Sequence, residues 1–265
     1  MKHHITNRTT TAVLLAAAVV AAATGCGPNT ADGKPKAGTS ATPAKPKDAF
    51  EGLTAEQIDR KTRDTTAAAT SVRLNGTMLS GGQNVTLDLA LDTHGSCRGR
   101  IALDAIGTID IIKNGTLIYI KGDERYWRTA LSLDKKKAIS PKKADSLIAA
   151  LKGRWIKAPQ QVTRGLANMC ELRKFSTDLG EKRGFNLTRG ADTTDHGQPI
   201  AVIYQRTDDG VHTIHVAKKG KPYAVRMLTT GSSQPSDVQL SDFDKPVDTT
   251  PPPADQILDP AAASV

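Results

Sequence analysis

The chain has 265 residues, of which 38% are hydrophobic, 24% charged and only 4% aromatic, with 36 Lys and Arg against 27 Asp and Glu. That balance excludes a multi-span membrane protein, a wholly disordered chain and a collagen-like repeat, and it makes any core or cavity mainly aliphatic. The net charge of +9 reads as spread along the chain, without the dense basic stripe and interleaved aromatics that nucleic-acid binding requires.

The N-terminus sets the expected compartment. Residues 1–11 carry Lys2 and Arg8 and no acid, and an apolar run follows from Ala12 to Ala23. That run is too short to span a bilayer and has the length of a signal-peptide core, so residues 1–25 are predicted to be a signal peptide. Ala23-Thr24-Gly25-Cys26 resembles the lipobox of bacterial lipoproteins, with Ala23 where that motif usually has Leu. The resemblance implies lipidation of Cys26, with a diacylglyceryl group (palmitate-like acyl chains) on its thiol. It also implies cleavage before Cys26 and anchoring at the outer face of the bacterial cell membrane. An ordinary secretory peptide cut near Ala-Thr-Gly is the alternative.

Residues 26–49 are mostly Gly, Pro, Ala, Thr, Lys and Asp. Such a stretch buries too little apolar surface to offset chain entropy, and it is predicted to be a disordered tether. Lys34, Lys36, Lys45 and Lys47 would either attract anionic headgroups or merely keep the tether soluble.

Residues 50–259 are expected to form a single domain, followed by a short tail at 260–265. Thr54 with Gln57 forms a capping-box pattern that opens a helix running to about Ala69. Val72–Leu79 is the first predicted strand, and Ser80-Gly81-Gly82 turns the chain. Val85, Leu87, Leu89 and Leu91 then alternate with Asn84, Thr86, Asp88 and Asp92, the pattern of a sheet with one wet face. Ile101 and Leu103 oppose Arg98, Arg100 and Asp104. Ile109 and Ile111 share a side, and Asn114-Gly115 marks a hairpin returning through Leu117–Lys121. After a break, Ser140-Pro141 starts a helix whose stripe is Ala144, Leu147, Ile148 and Leu151, closed by Gly153. A further helix is predicted over 159–172 with Val162, Leu166 and Met169 facing inward. Strands are predicted over 185–191, 200–206, 211–217, 223–228 and 238–243, with a short closing segment at 255–258. The expected class is α+β: one antiparallel sheet, covered on one face by a few helices.

Beyond Cys26 the chain has two cysteines, Cys97 and Cys170. In an exported protein such a pair reads as one disulfide. A redox or metal role lacks support: there is no C-x-x-C and no ligand spacing around either. His212 and His215 fall on a predicted strand, where an offset of three puts them on opposite faces. No nucleophile elbow, phosphate loop, zinc-protease or dinucleotide motif occurs, so no enzyme activity, cofactor or metal is expected. An exported hydrolase of unfamiliar type would need a titratable cluster in a cleft.

Three stretches resemble the LolA-like lipoproteins of actinobacteria, in particular the mycobacterial LppX and LprAFG group. They are Leu117-Ile-Tyr-Ile-Lys-Gly-Asp-Glu-Arg-Tyr-Trp127, Gly153-Arg-Trp-Ile-Lys-Ala-Pro159 and Ser241-Asp-Phe-Asp-Lys-Pro-Val247. The first resembles a sheet segment ending in Trp. The resemblance implies a half-barrel, its antiparallel sheet curved with the helices on the concave face, a hydrophobic cavity between sheet and helices, and a lipid or glycolipid as ligand. On that reading Leu87, Leu89, Ile101, Leu103, Ile109, Ile111, Leu147, Leu151 and Val202 would line the cavity. The same aliphatic stripes would equally build a filled core, leaving a non-enzymatic interaction or sensory module of the cell envelope. Trp127 and Trp155 flank the helical insertion, as a cavity rim or as anchors holding helices on the sheet.

Overall fold

The computed structural model describes residues 48–133, 139–158, 167–173 and 186–258. Pro46–Val265 form one compact unit by their own contacts. The expected signal peptide, Cys26, residues 26–47 of the tether and the tail at 260–265 lie outside the described residues.

Thr54 caps the first helix, α1 (Ala55–Ala67), as a complete capping box: its hydroxyl accepts from the Gln57 N–H, and the Gln57 side chain accepts from the Thr54 N–H. Five antiparallel strands follow: β1 (Ser71–Ser80), β2 (Gln83–Asp92), β3 (Cys97–Leu103), β4 (Gly107–Asn114) and β5 (Leu117–Gly122). Helices α2 (Glu124–Leu133) and α3 (Pro141–Leu151) lead to β6 (Trp155–Lys157). The second series is β7 (Leu187–Arg189), β8 (Thr193–Asp195), β9 (Gln198–Thr207), β10 (Gly210–Ala217), β11 (Ala224–Thr230) and β12 (Ser236–Ser241). A 3₁₀ turn at Ala254–Gln256 and β13 (Ile257–Leu258) complete it.

All the strands join one open sheet, ordered β13-β6-β5-β4-β3-β2-β1-β12-β11-β10-β9-β7, with β8 also paired to β9. Every pairing is antiparallel except β13 with β6, so the sheet is mixed where an all-antiparallel one was expected. The closing segment near 255–258 returns along the β6 edge in the same direction as β6. That arrangement depends on where the chain arrives, which no local pattern records.

Helix α2 corrects the sequence reading, which treated the stretch ending at Trp127 as sheet. Asp123 breaks the strand: its side chain accepts from the Tyr126 N–H at 2.7 Å, and its carbonyl accepts from the Trp127 N–H at 3.1 Å. That is a helix N-cap, with Glu124 favourably placed in the first turn. Gly122 lets the helix settle close to the sheet, since a Cβ there would lie 2.3 Å from the Tyr126 ring. Of the predicted 159–172 helix, only 167–170 and the residues after it are described. Met169 there is 43% exposed rather than inward-facing.

Two buried clusters lie on the same face of the sheet, here called the inner face. The larger joins β1–β6 and β12 to Trp127, Ile148, Cys170 and Leu172. The smaller joins Ile58 of α1 and Phe50 to Ala201, Ile203, Ile214 and Val216. Register ties the two together, because Leu74 pairs with Leu240, Val238 with Met227, and Ile214 with both Met227 and Ile203. The chain enters the domain under a charge clamp. Arg189 donates to the Phe50 carbonyl at 2.9 Å and to the Asp48 carboxylate at 2.8 Å, and Lys218 reaches Asp48 at 3.0 Å.

Helix α1 carries hydroxyls on its buried stripe, which includes Thr62 and Thr66. The Thr62 hydroxyl donates to the Ile58 carbonyl of the same helix. The Thr66 hydroxyl accepts from the Ala224 N–H at 3.1 Å, beside an irregularity in the β10–β11 register. Thr66→Val keeps the shape and strands that N–H. The expected loss is about 1–3 kcal/mol of unfolding free energy, measured by urea titration.

Candidate functional site

The inner face is built from cross-strand rows. One row runs Ile118, Lys113, Cys97, Leu91, Val72, and the next runs Ile120, Ile111, Gly99, Leu89, Leu74, Leu240. The third runs Gly122, Ile109, Ile101, Leu87, Gly76, Val238, and the fourth Gly107, Leu103, Val85, Met78, Ser236. Lys113 is the one charged side chain in these rows, and it donates to the Gly95 carbonyl at the sheet's far end. Cover decreases along the series. Leu91, Cys97, Ile111 and Ile120 are almost fully buried, whereas Leu87, Leu103, Val85 and Met78 pack against the core while still half-buried. The half-covered apolar side chains therefore form one continuous patch beside the sealed part of the core.

Of the residues expected to line a cavity, Leu87, Leu89, Ile101, Leu103, Ile109, Ile111 and Leu151 come together in this one cluster. Leu147 is half-buried on α3 outside it. Val202 belongs elsewhere and is withdrawn from the set. It pairs with His215 on the outer face, while its neighbours Ala201 and Ile203 point inward against α1. Both faces of β9 are covered, so its run of apolar residues gave no alternation from which to assign a face. Met78, Ile118 and Ile120 join the inner face although the sequence reading did not single them out. For Ile118 and Ile120 the alternation within the β5 hairpin was an available signal. The two tryptophans separate: Trp127 lies in the inner core, and Trp155 lies on the outer face with the Lys121 ammonium 4.8 Å above its ring.

Cys97 and Cys170 form a disulfide, with Cα atoms 5.4 Å apart and both residues fully buried. It ties the segment 167–173, which brings Leu172 into the core, to the first residue of β3.

The outer face carries a polar row across eight strands, Lys121, Asp110, Arg100, Asp88, Asn75, Gln239, Arg226 and His215, which ends at Val202 on the ninth. Opposite charges alternate along its first half, the arrangement that favours cross-strand pairs. The Arg73 fork holds Asp88 through two contacts of 2.7 Å and keeps its carboxyl below the usual range. Burial pushes the Asp110 carboxyl up, but Arg100 and Lys121 together pull it below its ordinary value. Two depressions open on this face. One, about 460 Å³, lies between β1–β3 and the segment 242–248, lined by Arg73, Arg98 and Arg100. Each guanidinium is already paired, with Asp88, Asp248 and Asp110 respectively, so the groove offers little net charge to an anion.

The other depression, about 360 Å³, is lined by Asp195, His196, Pro199, Val225 and Phe243. His215 and His196 each present Nδ1 to Asp195 at 2.7 Å. Burial raises the Asp195 carboxyl, and these two contacts with the nearby Arg226 outweigh it, so the group stays below its usual range. His212 is on the inner face against Thr229, so the two histidines of the H-x-x-H stretch do lie on opposite sides. Among the described residues neither His215 nor His196 hydrogen-bonds a serine or cysteine, and no group of three or more metal-ligating side chains converges.

No family model matches the sequence, and no curated protein does. Solved structures do match. LprF from Mycobacterium bovis superposes with a TM-score of 0.53 at 11% identity, over 75% of this chain and 96% of its own. The lipoprotein LppX of Mycobacterium tuberculosis is matched over 74% of this chain and 98% of its own, at 13% identity and a TM-score of 0.44. The match to LprF gives the chain an LprF-like fold, in line with the resemblance in its motifs. No helix among the described residues is long and apolar enough to cross a membrane.

Proposed function

We propose that this chain is an exported lipoprotein, anchored through acylated Cys26 at the outer face of the bacterial cell membrane. In this reading its folded domain binds or transfers a lipid or other hydrophobic ligand, without catalysis. One observation carries the reading: the uncharged apolar face of β1–β3 continues past its sealed core into the half-covered patch of Leu87, Leu103, Val85 and Met78. Acyl chains could extend along that patch. Two chains burying about 600 Å² would gain roughly 15 kcal/mol before association and ordering costs.

A non-enzymatic interaction module is the second reading. It is favoured by the near-complete burial of Ile101, Ile111 and Ile120.

The test is native mass spectrometry of protein purified from an actinobacterial host, with and without Leu87→Lys. Co-purifying lipid should be present in the parent, and a lysine there should lower its occupancy by about 100-fold, because a charge must be desolvated to admit an acyl chain. A lipid-free parent that also fails to take up a fluorescent fatty acid would overturn the ligand reading. Cys26→Ala should release the protein into the medium, and an unmodified Cys26 in the parent would overturn the anchor.

A further inference from the structure

The positive charge is less evenly spread than a linear reading suggests. Residues 123–157 hold ten Lys and Arg but four Asp and Glu, so this short stretch carries +6 of the chain's +9. It contains both helices that cover the inner face next to β4 and β5. Their apolar residues Trp127, Ile148 and Leu151 point into the core, which turns their polar sides to solvent. The three described acids of this stretch are consumed internally. Arg128 binds Glu124 at 3.0 Å and Asp145 at 2.9 Å, bridging α2 to α3, and Asp123 caps α2. Lys142 and Lys143 in the first turn of α3 and Lys152 at its end are all exposed, and none has an ion pair among the described residues. The outer face offers the contrast, since Arg73, Arg98, Arg100 and Arg226 there are each matched with a carboxylate.

We propose that the α2–α3 hairpin is an electrostatic docking surface for anionic lipid headgroups, seating the domain on the membrane with the helices toward the bilayer. Amphipathic helices whose apolar sides are committed to their own core cannot insert, so the contact is a charge contact at headgroup level. Each lysine brought near an anionic surface contributes roughly fivefold in partition. An acidic protein would need a matching pattern of carboxylates. A fluid layer of phosphates adapts to lysines spaced along a helix.

The inference adds to the proposed anchor without needing it, because residues 46–265 form a compact unit that can be examined without the tether. Co-sedimentation of that domain with vesicles of phosphatidylglycerol and phosphatidylcholine, and with pure phosphatidylcholine vesicles, reads the effect. Binding should appear at low salt on the anionic vesicles alone and vanish near 1 M salt, where charges are screened within about 3 Å. The triple variant K142E/K143E/K152E should lower partition about 100-fold or more while melting with the parent. K142Q/K143Q/K152Q should fall between the two. Equal binding to both vesicle types, anionic binding that the triple variant leaves intact, or no binding at low salt would each overturn the proposal.

Discussion

Replacing Cys97 and Cys170 together with alanine should lower the unfolding free energy by about 4 kcal/mol. The bridge closes a loop between residues 73 apart in sequence, and on the chain-entropy model a loop of that length removes roughly this much freedom from the unfolded chain. The native side of the balance loses less. Both sulfurs are buried among Leu91, Leu172 and their neighbours, and alanine leaves two small gaps without a stranded polar group. Urea titrations in the presence and absence of reductant check this. The parent should lose stability on reduction, and the double alanine variant should be indifferent to it. A parent that reductant shifts by less than about 1 kcal/mol would show that packing of segment 167–173 alone holds it in place. Because the bridge secures that segment over the inner face, the reduced protein should also release any bound hydrophobic ligand faster.

Gly99→Val should cost about 2–4 kcal/mol, although valine is the better strand former. Gly99 sits on the inner face opposite Leu89, and a Cβ there would lie 2.0 Å from the Asp88 carbonyl oxygen and 2.7 Å from the Leu89 Cα. Both are backbone atoms, so relief requires β2 and β3 to separate. Their separation would strain the Arg73–Asp88 and Arg100–Asp110 pairs on the other face. Gly115 makes the control. It sits in the β4–β5 turn at φ 56°, and a Cβ there meets nothing within 4 Å. Gly115→Ala should cost about 1 kcal/mol, from backbone conformation alone. Thermal melts that rank the two substitutions in the opposite order would remove the pinch between β2 and β3 as a determinant of the sheet's shape.

Local rules at Thr54 and Gln57, at Ser140-Pro141 and at Asn114-Gly115 were enough to mark a helix start, a second helix start and a hairpin. Each is a short-range event whose partners lie within a few residues. The alternation of Val85, Leu87, Leu89 and Leu91 likewise identified the inner face of β2, because one side of that strand meets water and the other does not. The pairing of Cys97 with Cys170 followed from counting, since no third candidate lay beyond Cys26. Where both sides of a strand are covered, as at Val202, the pattern is silent, and only the pairing with His215 assigned a face. Helix α2 escaped notice because its signal was a single Asp123 after a strand ending in Gly122, and its apolar residues suit a strand as well as a helix. The return of β13 alongside β6 and the outer charge row depend on residues far apart in the chain. Only the folded arrangement brings them together, because attraction between charges and complementarity between apolar surfaces are set by distance in space and leave no trace in sequence spacing.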